Sequence, residues 1–396
     1  EDVGGDLQVA SVNVQNFFTT LDNGSGTSGP NELDPRGATS AADLERQTEK
    51  LVEQLLGTGA EVLALQELEN NGFGSTSAIS TLVDALNAEA SDRGLSANYQ
   101  FVDPTGGDPD GFIGTDAITT GLIYDANAVT PVYSDILVFE ESSAATTFAL
   151  AEPLNAVVPE DDQVGDFQRS RPAVVATFEE NASGETFTVA SNHFKSKGDS
   201  NLEDLAEAAQ AALDGGNTSI TQAQIDALIA DPNYDQGDGQ AFWNAARTDA
   251  AVELAAFLSG DYLAAAQAAN PTLTIEEDFL VLGDLNAYAQ EDPTQALRDL
   301  SLYVDLIDTL VEGGQDEAFS FVFDGQQGTL DQAFASTGLA DNVTGLTEWH
   351  VNAQEPGLLG FSSEFNDPRF FNDDLFRAAD HDPLIIGLDL DDPLLV

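Results

Sequence analysis

Short apolar segments alternate with segments of helical periodicity along the whole chain, and this alternation constrains the fold more than any other feature. LQVASVNV at 7–14, EVLALQE at 61–67 and DFLVLG at 278–283 predict buried strands. Residues 43–56, DLERQTEKLVEQLL, carry apolar side chains at helical spacing and end before Gly57. Strands and helices that mix in this way predict an α/β domain.

The same two patterns continue through the rest of the chain. Helices are predicted over 76–92 and 241–258. Further strands are predicted over 98–103, 117–124, 173–179, 186–192, 319–323, 328–335 and 383–388. No internal repeat or linker interrupts them, so we expect a single domain over 1–396.

Two stretches depart from the alternation. Residues 199–230 are rich in Ala, Gln, Asp and Glu without a strong apolar stripe, so we expect exposed helices without a core of their own. With the turn-rich DPNYDQGDG at 231–239, they form a predicted helical insertion over 199–240. Residues 340–380 predict a long irregular excursion.

The charge balance is extreme, with 70 Asp and Glu against 12 Lys and Arg and a net charge of -58. The 23 Phe and the periodic apolar segments argue against disorder, so this charge must lie on a folded surface. Such a surface repels itself in dilute buffer, whereas molar salt shortens the Debye length to about 3 Å. We therefore expect adaptation to high salt. An acidic calcium-binding surface is the alternative, which the spread of acids along the whole chain disfavours.

Two residue types are absent from the chain. Without cysteine there are no disulfides and no thiolate metal site. Without methionine, even at position 1, the sequence looks like a mature chain whose signal segment has been removed, and we expect a secreted protein. The chain contains no run of about 18 apolar residues, so no membrane span is predicted.

Positive charge is concentrated beside one histidine. The three histidines of the chain are His193, His350 and His381. His193 follows a predicted strand in SNHFKSKGDS, which also holds Lys195 and Lys197, two of the three lysines. Lysines retained in so acidic a chain indicate an anion site, and phosphate contacts are the usual role of such groups. Salt bridges to nearby carboxylates are the alternative.

Arg169 and Arg171, in RSRPAVV, extend this positive region. Together with the two lysines they make four of the 12 cations, on what look like neighbouring strands. Phosphate binding and local ion pairing explain the two arginines equally well.

Acidic and amide side chains follow the predicted strands. Alternation brings Asp284 and Asn286 to the same side of a strand end, where both can meet a metal or a phosphate. Glu67 ends another apolar strand. Each motif alone is also ordinary strand-end or turn chemistry.

A histidine flanked by carboxylates precedes the last strand. AADHDPLIIGL contains Asp380, His381 and Asp382, and Asp331 in TLDQAF is a candidate partner for His381. This setting suits a general base.

The order of these motifs resembles the endonuclease/exonuclease/phosphatase superfamily, which has the DNase I-like fold. The motifs are N-V-x-N at 13–16, Q-E at 66–67, R-P at 171–172, N-H at 192–193, G-D-L-N at 283–286, L-D at 330–331 and D-H at 380–381. The resemblance spans nearly the whole chain and is closest to large extracellular microbial nucleases. Four short sequence motifs of those nucleases recur in this chain: NHFKSKG at 192–198, GDLNAY at 283–288, VFDGQ at 322–326 and EWH at 348–350.

This resemblance implies a four-layered α/β sandwich, in which two packed mixed β-sheets are flanked by helices, with insertions. It implies that Glu67 is the principal ligand of a Mg²⁺ or Mn²⁺ ion, with Asn13 and Asp380 near the same ion. Asp284 and Asn286 would position the attacking water and the phosphate.

The resemblance also assigns the two motif histidines. His381, oriented by Asp331, would be the general base or proton shuttle, and His193 would donate a hydrogen bond to a phosphate oxygen. The sequence does not decide which histidine does which task. Asp116, in GTDAITTGLIY, is a candidate partner for His193.

The sequence departs from the family pattern at two positions, and a third assignment has two candidates. Gln15 stands where the superfamily frequently has an acid, which puts a second metal ligand in question. Gln332 follows L-D where close relatives often have histidine. The phosphate contact falls to Arg171, or to Arg169 if the register shifts by two.

The sequence therefore predicts a secreted, monomeric, divalent-metal-dependent nuclease that hydrolyses DNA at high salt, with RNA as the alternative nucleic acid substrate. Ca²⁺ is a candidate structural ion in the acidic loops 103–111 and 231–239. A phosphomonoesterase or small-substrate phosphodiesterase of the same fold is the first alternative. A non-catalytic acidic calcium-binding surface protein is the second.

Overall fold

The computed structural model describes residues 2–108, 111–165, 169–364 and 366–390. The strands are β1 (Leu7–Phe17), β2 (Val62–Glu69), β3 (Tyr99–Phe101), β4 (Ile118–Asp125), β5 (Val129–Leu137), β6 (Arg171–Glu180), β7 (Thr186–His193), β8 (Phe279–Asp284), β9 (Tyr303–Asp305), β10 (Phe321–Phe323), β11 (Gln326–Gly328), β12 (Asp331–Ser336), β13 (Val343–Glu348) and β14 (Leu384–Leu388). The helices are α1 (Ala41–Thr58), α2 (Ala78–Asp92), α3 (Ser142–Asn155), α4 (Leu202–Asp214), α5 (Gln222–Ile229), α6 (Asn244–Phe257), α7 (Leu263–Ala269), α8 (Asp292–Asp299) and α9 (Leu306–Leu310).

Twelve of these strands form two six-stranded mixed sheets. The first sheet has the order β13-β14-β1-β2-β4-β3 and the second has the order β5-β6-β7-β8-β12-β9. In each sheet two neighbouring central strands run parallel, β1 with β2 and β7 with β8, and their other neighbours pair antiparallel. The remaining strands, β10 and β11, pair with each other as a separate hairpin.

The two sheets pack face to face, and helices cover their outer faces. Val174 of β6 belongs to the apolar core between the sheets, whereas its neighbour Val175 packs on the outer side with Leu254 of α6. Leu55 of α1 and Leu82 of α2 cover the first sheet. Because both faces of the central strands are buried, their sequences are continuously apolar. The predicted four-layered α/β sandwich is confirmed.

The helical insertion predicted over 199–240 differs from the expectation of exposed helices. Leu202 and Leu205 of α4 and Leu228 of α5 are buried around Trp243, together with side chains of α3, in a small core of their own. The buried face of α4 consists of Leu202, Leu205, Ala206 and Ala209, and its alanines make this face inconspicuous in an alanine-rich sequence. Their partner α3 was not predicted at all.

The prediction of a long irregular excursion over 340–380 was wrong near its start. Residues 343–348 form β13, an edge strand that pairs antiparallel with β14. Its burial alternates between half-buried, exposed and buried residues, so it lacks the apolar run that marks the central strands. After it, the chain has short turns of 3₁₀ helix. Among the helices of the described ranges, none is long and apolar enough to cross a membrane.

Candidate active site

The ends of six strands meet at one edge of the two sheets, around a cavity of about 850 Å³. β1, β2, β7 and β8 end there, while β12 and β14 begin there because they run antiparallel to their neighbours. The ionisable and amide groups that line the cavity are Asn16, Arg36, Glu67, Arg171, His193, Lys197, Asp284, Asn286, Gln326, Gln327, Asp380 and His381. Strand pairing thus brings together groups that lie far apart in sequence.

Glu67 is held by the end of β1. The Asn13 side chain donates from Nδ2 to Glu67 Oε1 at 3.2 Å, and the backbone N–H of Asn16 donates to Oε2 at 2.9 Å. Glu67, Asn16 and Gln15 all have left-handed backbone conformations, with φ of 66°, 52° and 48°. Such conformations cost roughly 1–3 kcal/mol each and persist where the surrounding structure imposes them. The bent strand ends turn the carboxylate towards the cavity.

The surroundings of Glu67 fit a divalent cation with oxygen ligands. Burial and the charge of Asp380 raise the pKa of Glu67, and a cation would relieve both effects. Asn16 Oδ1 is buried and accepts no hydrogen bond from the described residues. Glu67, Asp380 and Asn16 are therefore the groups that would hold a Mg²⁺ or Mn²⁺ ion, with Asn13 behind them.

This donor set contains only two carboxylates. Accordingly, no cluster of three or more His, Cys, Asp or Glu suited to a metal occurs in the described part of the chain. Mg²⁺ commonly binds through one or two carboxylates and keeps waters and substrate phosphate as its other ligands, so two carboxylates suffice.

His381 and Asp331 form a buried pair. Asp331 Oδ2 lies 2.7 Å from His381 Nδ1 and accepts a second hydrogen bond from the Ser320 hydroxyl at 2.6 Å. With Nδ1 engaged, the His381 ring turns Nε2 towards Asp284, whose Oδ2 is 4.0 Å away. The pair fixes the orientation of the imidazole.

Asp284 lies between two histidines. Its Oδ2 is 3.6 Å from His193 Nε2, and its Oδ1 accepts the backbone N–H of Asn286 at 2.8 Å. The Asn286 side chain in turn donates to the Phe194 carbonyl at 3.1 Å. The predicted group of His193, Asp284, Asn286, Asp331 and His381 is therefore brought together.

Electrostatics give these groups different protonation states. Burial, with smaller effects from neighbouring charges, raises the pKa of Asp284 to about 7. Burial and Arg171 lower the pKa of His193 well below its usual value. Burial alone would lower the pKa of His381, but the nearby carboxylates, Asp331 above all, outweigh it and raise that pKa well above its usual value. Near neutral pH these shifts favour a charged His381 and a neutral His193, and they bring the titration of Asp284 into this range.

Close contact between β7 and β8 fixes the position of Asp284. Gly283 has φ of 130°, and a Cβ added there would lie 2.1 Å from the Asn192 carbonyl oxygen. Only glycine allows this approach of the two backbones. The register pairs His193 with Asp284, which sets the two side chains next to each other.

The cations of the site divide between two pockets. Arg171 and Lys197 line the main cavity, where Lys197 pairs with Glu291 and lies 5.1 Å from the centre of the Tyr288 ring. Arg169 and Lys195 line an adjoining pocket of about 220 Å³. Arg171 and a residue that the sequence reasoning missed, Arg36, line both pockets.

The smaller pocket contains a buried lysine. Lys195 is 5% exposed and donates to the hydroxyls of Ser196 and Ser200 at 3.1 and 2.7 Å. Burial and the charge of Arg171 lower its pKa to about 7. Arg169 donates to the carbonyls of Glu140 and Glu141 rather than to a carboxylate.

Comparison with known proteins identifies the family. The model of the Endonuclease/Exonuclease/phosphatase family matches residues 10–362. The chain belongs to this family. Its members hydrolyse phosphoester bonds and generally use divalent metals such as Mg²⁺. No curated protein matches the chain.

Several solved structures are similar to this family member in overall fold. The human Nocturnin catalytic domain with bound sulfate has 15% identity and a TM-score of 0.45, and the match covers 96% of this chain and 93% of that chain. An endonuclease/exonuclease/phosphatase from Bacteroides vulgatus has 12% identity and a TM-score of 0.47, with 97% and 99% covered. D. rerio TDP2 complexed with a single-strand DNA product has 14% identity and a TM-score of 0.43, with 96% and 97% covered.

The predicted partner of His193 in this family member was wrong. Asp116 binds Arg171 Nε at 2.9 Å and Arg36 at 2.6 Å, and these guanidinium groups hold its pKa low against the opposing effect of burial. The two cations attract the carboxylate away from the neutral His193. Within the described chain, the buried Nδ1 of His193 has no hydrogen-bond partner.

His350 supports the loop that carries His381. Its Nδ1 lies 3.0 Å from Asp382 Oδ2, and its ring stacks on Phe319 at 3.9 Å. Asp382 Oδ1 also accepts three consecutive backbone N–H groups, those of residues 351–353. The sequence indicates no catalytic role for His350, and this residue is not among those that line the cavity.

Proposed function

We propose that this family member is a salt-adapted, divalent-metal-dependent nuclease that cleaves phosphodiester bonds of DNA or RNA. The observation that carries the proposal is a buried carboxylate, Asp284, between two histidines in a cavity lined by cations and by amide groups. Attack of water on a phosphate needs a base for the water and positive groups for the phosphate oxygens, and this arrangement supplies both. Secretion and a monomeric state stay predictions.

In the proposed reaction, Asp284 accepts a proton from the water that attacks phosphorus. As the new P–O bond forms, the P–O bond to the leaving nucleotide oxygen breaks, and that oxygen takes up a proton from solvent. Its pKa of about 7 suits this task at neutral pH. Charged His381 donates a hydrogen bond to a non-bridging phosphate oxygen, and Asn286 helps to orient the water. These roles differ from the general base expected for His381, because the nearby carboxylates, Asp331 above all, raise the pKa of His381 and so favour its protonated form.

The remaining groups bind and neutralise the phosphate. Arg171 and Lys197 line the cavity and offer charged donors. A divalent ion held by Glu67, Asp380 and Asn16 would neutralise charge on the phosphate and on the leaving oxygen.

Plasmid nicking beside hydrolysis of a chromogenic phosphate monoester tests this proposal. We expect nicking with Mg²⁺ or Mn²⁺ in molar salt, and at least a 100-fold loss in Glu67→Gln and His193→Ala. Calorimetric titration with Mn²⁺ should show weaker binding to Glu67→Gln and unchanged binding to His193→Ala.

Two results would contradict the proposal. Monoester hydrolysis without cleavage of either plasmid or single-stranded DNA would make the protein a phosphomonoesterase of the same fold. Unchanged hydrolysis in both variants would remove the site assignment itself. The exposed Glu312→Gln serves as a control for the loss of one carboxylate elsewhere on the surface.

A further inference from the structure

A separate hairpin lies at the mouth of the cavity. β10 and β11 pair only with each other within the described chain, with Phe323 opposite Gln326 and Phe321 opposite Gly328. The turn between them has left-handed conformations at Asp324 and at the following glycine, with φ of 48° and 77°. Two such residues make the tight turn that suits the twist of a two-residue hairpin.

One face of this hairpin is seated against the catalytic groups. The Phe321 ring lies 4.5 Å from the His381 ring. Gly328 leaves room for Tyr288, because a Cβ added to Gly328 would lie 2.6 Å from Tyr288 Cε1. These contacts fix the hairpin relative to His381.

The same face continues outwards as an exposed aromatic surface. Phe323 follows Phe321 by two residues, so both rings lie on one face, roughly 6.6 Å apart along the strand. Phe323 is 63% exposed and lines the cavity together with Gln326 and Gln327. An exposed ring inside a charged cleft gains stability only when a flat apolar group covers it.

We propose that this hairpin is a nucleobase platform. Phe323 stacks on the base of a nucleotide whose phosphate lies at Asp284 and His193, and Gln326 offers its amide to the base edge. This inference rests on the proposed nuclease function and deepens it. A base within a duplex is already stacked on both faces, so the platform favours unpaired bases and single-stranded polynucleotides.

Oligonucleotides with and without bases test this platform. The first substrate is a single-stranded oligonucleotide, the second is a strand of the same length made of abasic residues, and the third is the duplex of the first. Each strand of the three substrates carries one phosphodiester charge per nucleotide unit, so the two single strands differ in their bases and not in their charge. The variants are Phe323→Ala and Phe323→Trp, and the control is Phe370→Ala, which removes another exposed ring (53% exposed) outside the cavity.

We expect the wild type to cleave the base-bearing single strand faster than the abasic strand and the duplex. Phe323→Ala should lower kcat/KM on the base-bearing strand about 5- to 150-fold, mainly through KM, since stacking on one aromatic ring has about this effect. Its rate on the abasic strand should change less than about twofold. Phe323→Trp should keep the preference, and Phe370→Ala should behave as wild type.

The inference is overturned if Phe323→Ala slows both single strands equally, or if the wild type cleaves them equally well. Faster cleavage of the duplex would also overturn it. If the wild type cleaves no polynucleotide but hydrolyses a phosphate monoester, the proposed nuclease function fails first, and the platform fails with it.

Discussion

Asp284 is the residue whose protonation the proposed chemistry depends on. Its pKa is raised to about 7, so the ionised form that accepts a proton dominates above this pH. We expect kcat/KM to rise with pH between 5 and 7 and to level off above about 8. A pH–rate profile in molar salt measures this, and a rate that falls through pH 7 would be incompatible with Asp284 as the base. Asp116→Asn should leave the midpoint in place, because that carboxylate pairs with arginines.

Asp284→Asn should separate activity from stability. A raised pKa in the folded state means that the carboxyl stabilises the fold at low pH and that this stability is lost as pH rises through about 7. At pH 8 the amide should therefore increase the free energy of unfolding, by up to about 4 kcal/mol, while kcat falls about 100- to 10,000-fold. Urea unfolding at pH 5 and pH 8 measures the difference. A variant that is less stable at pH 8 would contradict the raised pKa.

Most of the central residues of the site could be predicted from the sequence because they stand at or near strand ends. His193 and Asp284 each end an apolar strand, and Glu67 stands two residues before the end of another; strand pairing then decides that they meet. Arg36 and Phe323 were missed as site residues because they lie in a loop and in a short hairpin, where no period links sequence to position. Asp116 was assigned to the wrong partner because ion pairing with two arginines is a long-range effect.

At the scale of elements, the contact between β7 and β8 holds the site together. Gly283→Ala would push a Cβ into the Asn192 carbonyl, 2.1 Å away, and so separate the two strands. We expect a loss of several kcal/mol in stability and loss of activity, because His193 and Asp284 face each other across this contact. Thermal unfolding followed by circular dichroism, together with the nicking rate, measures both effects.

Gly184→Ala is the matched control for this prediction. Gly184 has a left-handed φ of 82° and no atom within 4 Å of an added Cβ. An alanine there therefore has an unfavourable positive φ but collides with no neighbouring atom. We expect a loss of about 1 kcal/mol and normal activity. Equal losses in the two variants would show that backbone conformation alone, and not strand contact, matters at Gly283.

The elements that could be predicted from the sequence are those with a continuous apolar run or a wide apolar stripe. The central strands of both sheets, α1 and α2 belong to this class. β5 was missed because most of its residues are only half buried, and β13 because it is a half-exposed edge strand. α3 has little periodicity and contains Pro153, so its sequence does not indicate a helix. These elements are fixed by tertiary contacts rather than by local pattern.

Across the whole molecule, positive charge is gathered at one place. Six of the 12 cations lie in or directly behind the two pockets, namely Arg36, Arg169, Arg171, Lys195, Lys197 and Arg247. Buried Arg247 donates to backbone carbonyls of Lys195 and Ser196 and so braces the loop that carries the lysines. The 70 Asp and Glu residues, by contrast, are spread along the whole sequence. The net negative charge of the protein therefore repels a polyanion at long range, whereas the cations of the two pockets attract its phosphates at contact distance.

This charge distribution predicts an unusual response to salt. Most nucleic-acid-binding proteins lose affinity as salt rises, because their Lys and Arg side chains must displace salt cations from the phosphates of the nucleic acid. Here a net charge of -58 opposes the approach of a polyanion, and shortening the Debye length from about 10 Å at 0.1 M to about 3 Å at 1 M removes most of that repulsion while leaving direct contacts. We expect kcat/KM on single-stranded DNA to rise from 0.1 M towards the molar range of KCl.

The fold must be shown to be intact at each salt concentration, because self-repulsion also destabilises the protein at low salt. Circular dichroism before each assay separates unfolding from substrate repulsion. A short phosphodiester with a single charge serves as the control and should show a much weaker rise in rate with salt, because it is repelled less than a polyanion. If the rate on DNA instead peaks at 0.1 M with the fold intact, local cations dominate the encounter and the surface charge has no part in substrate access.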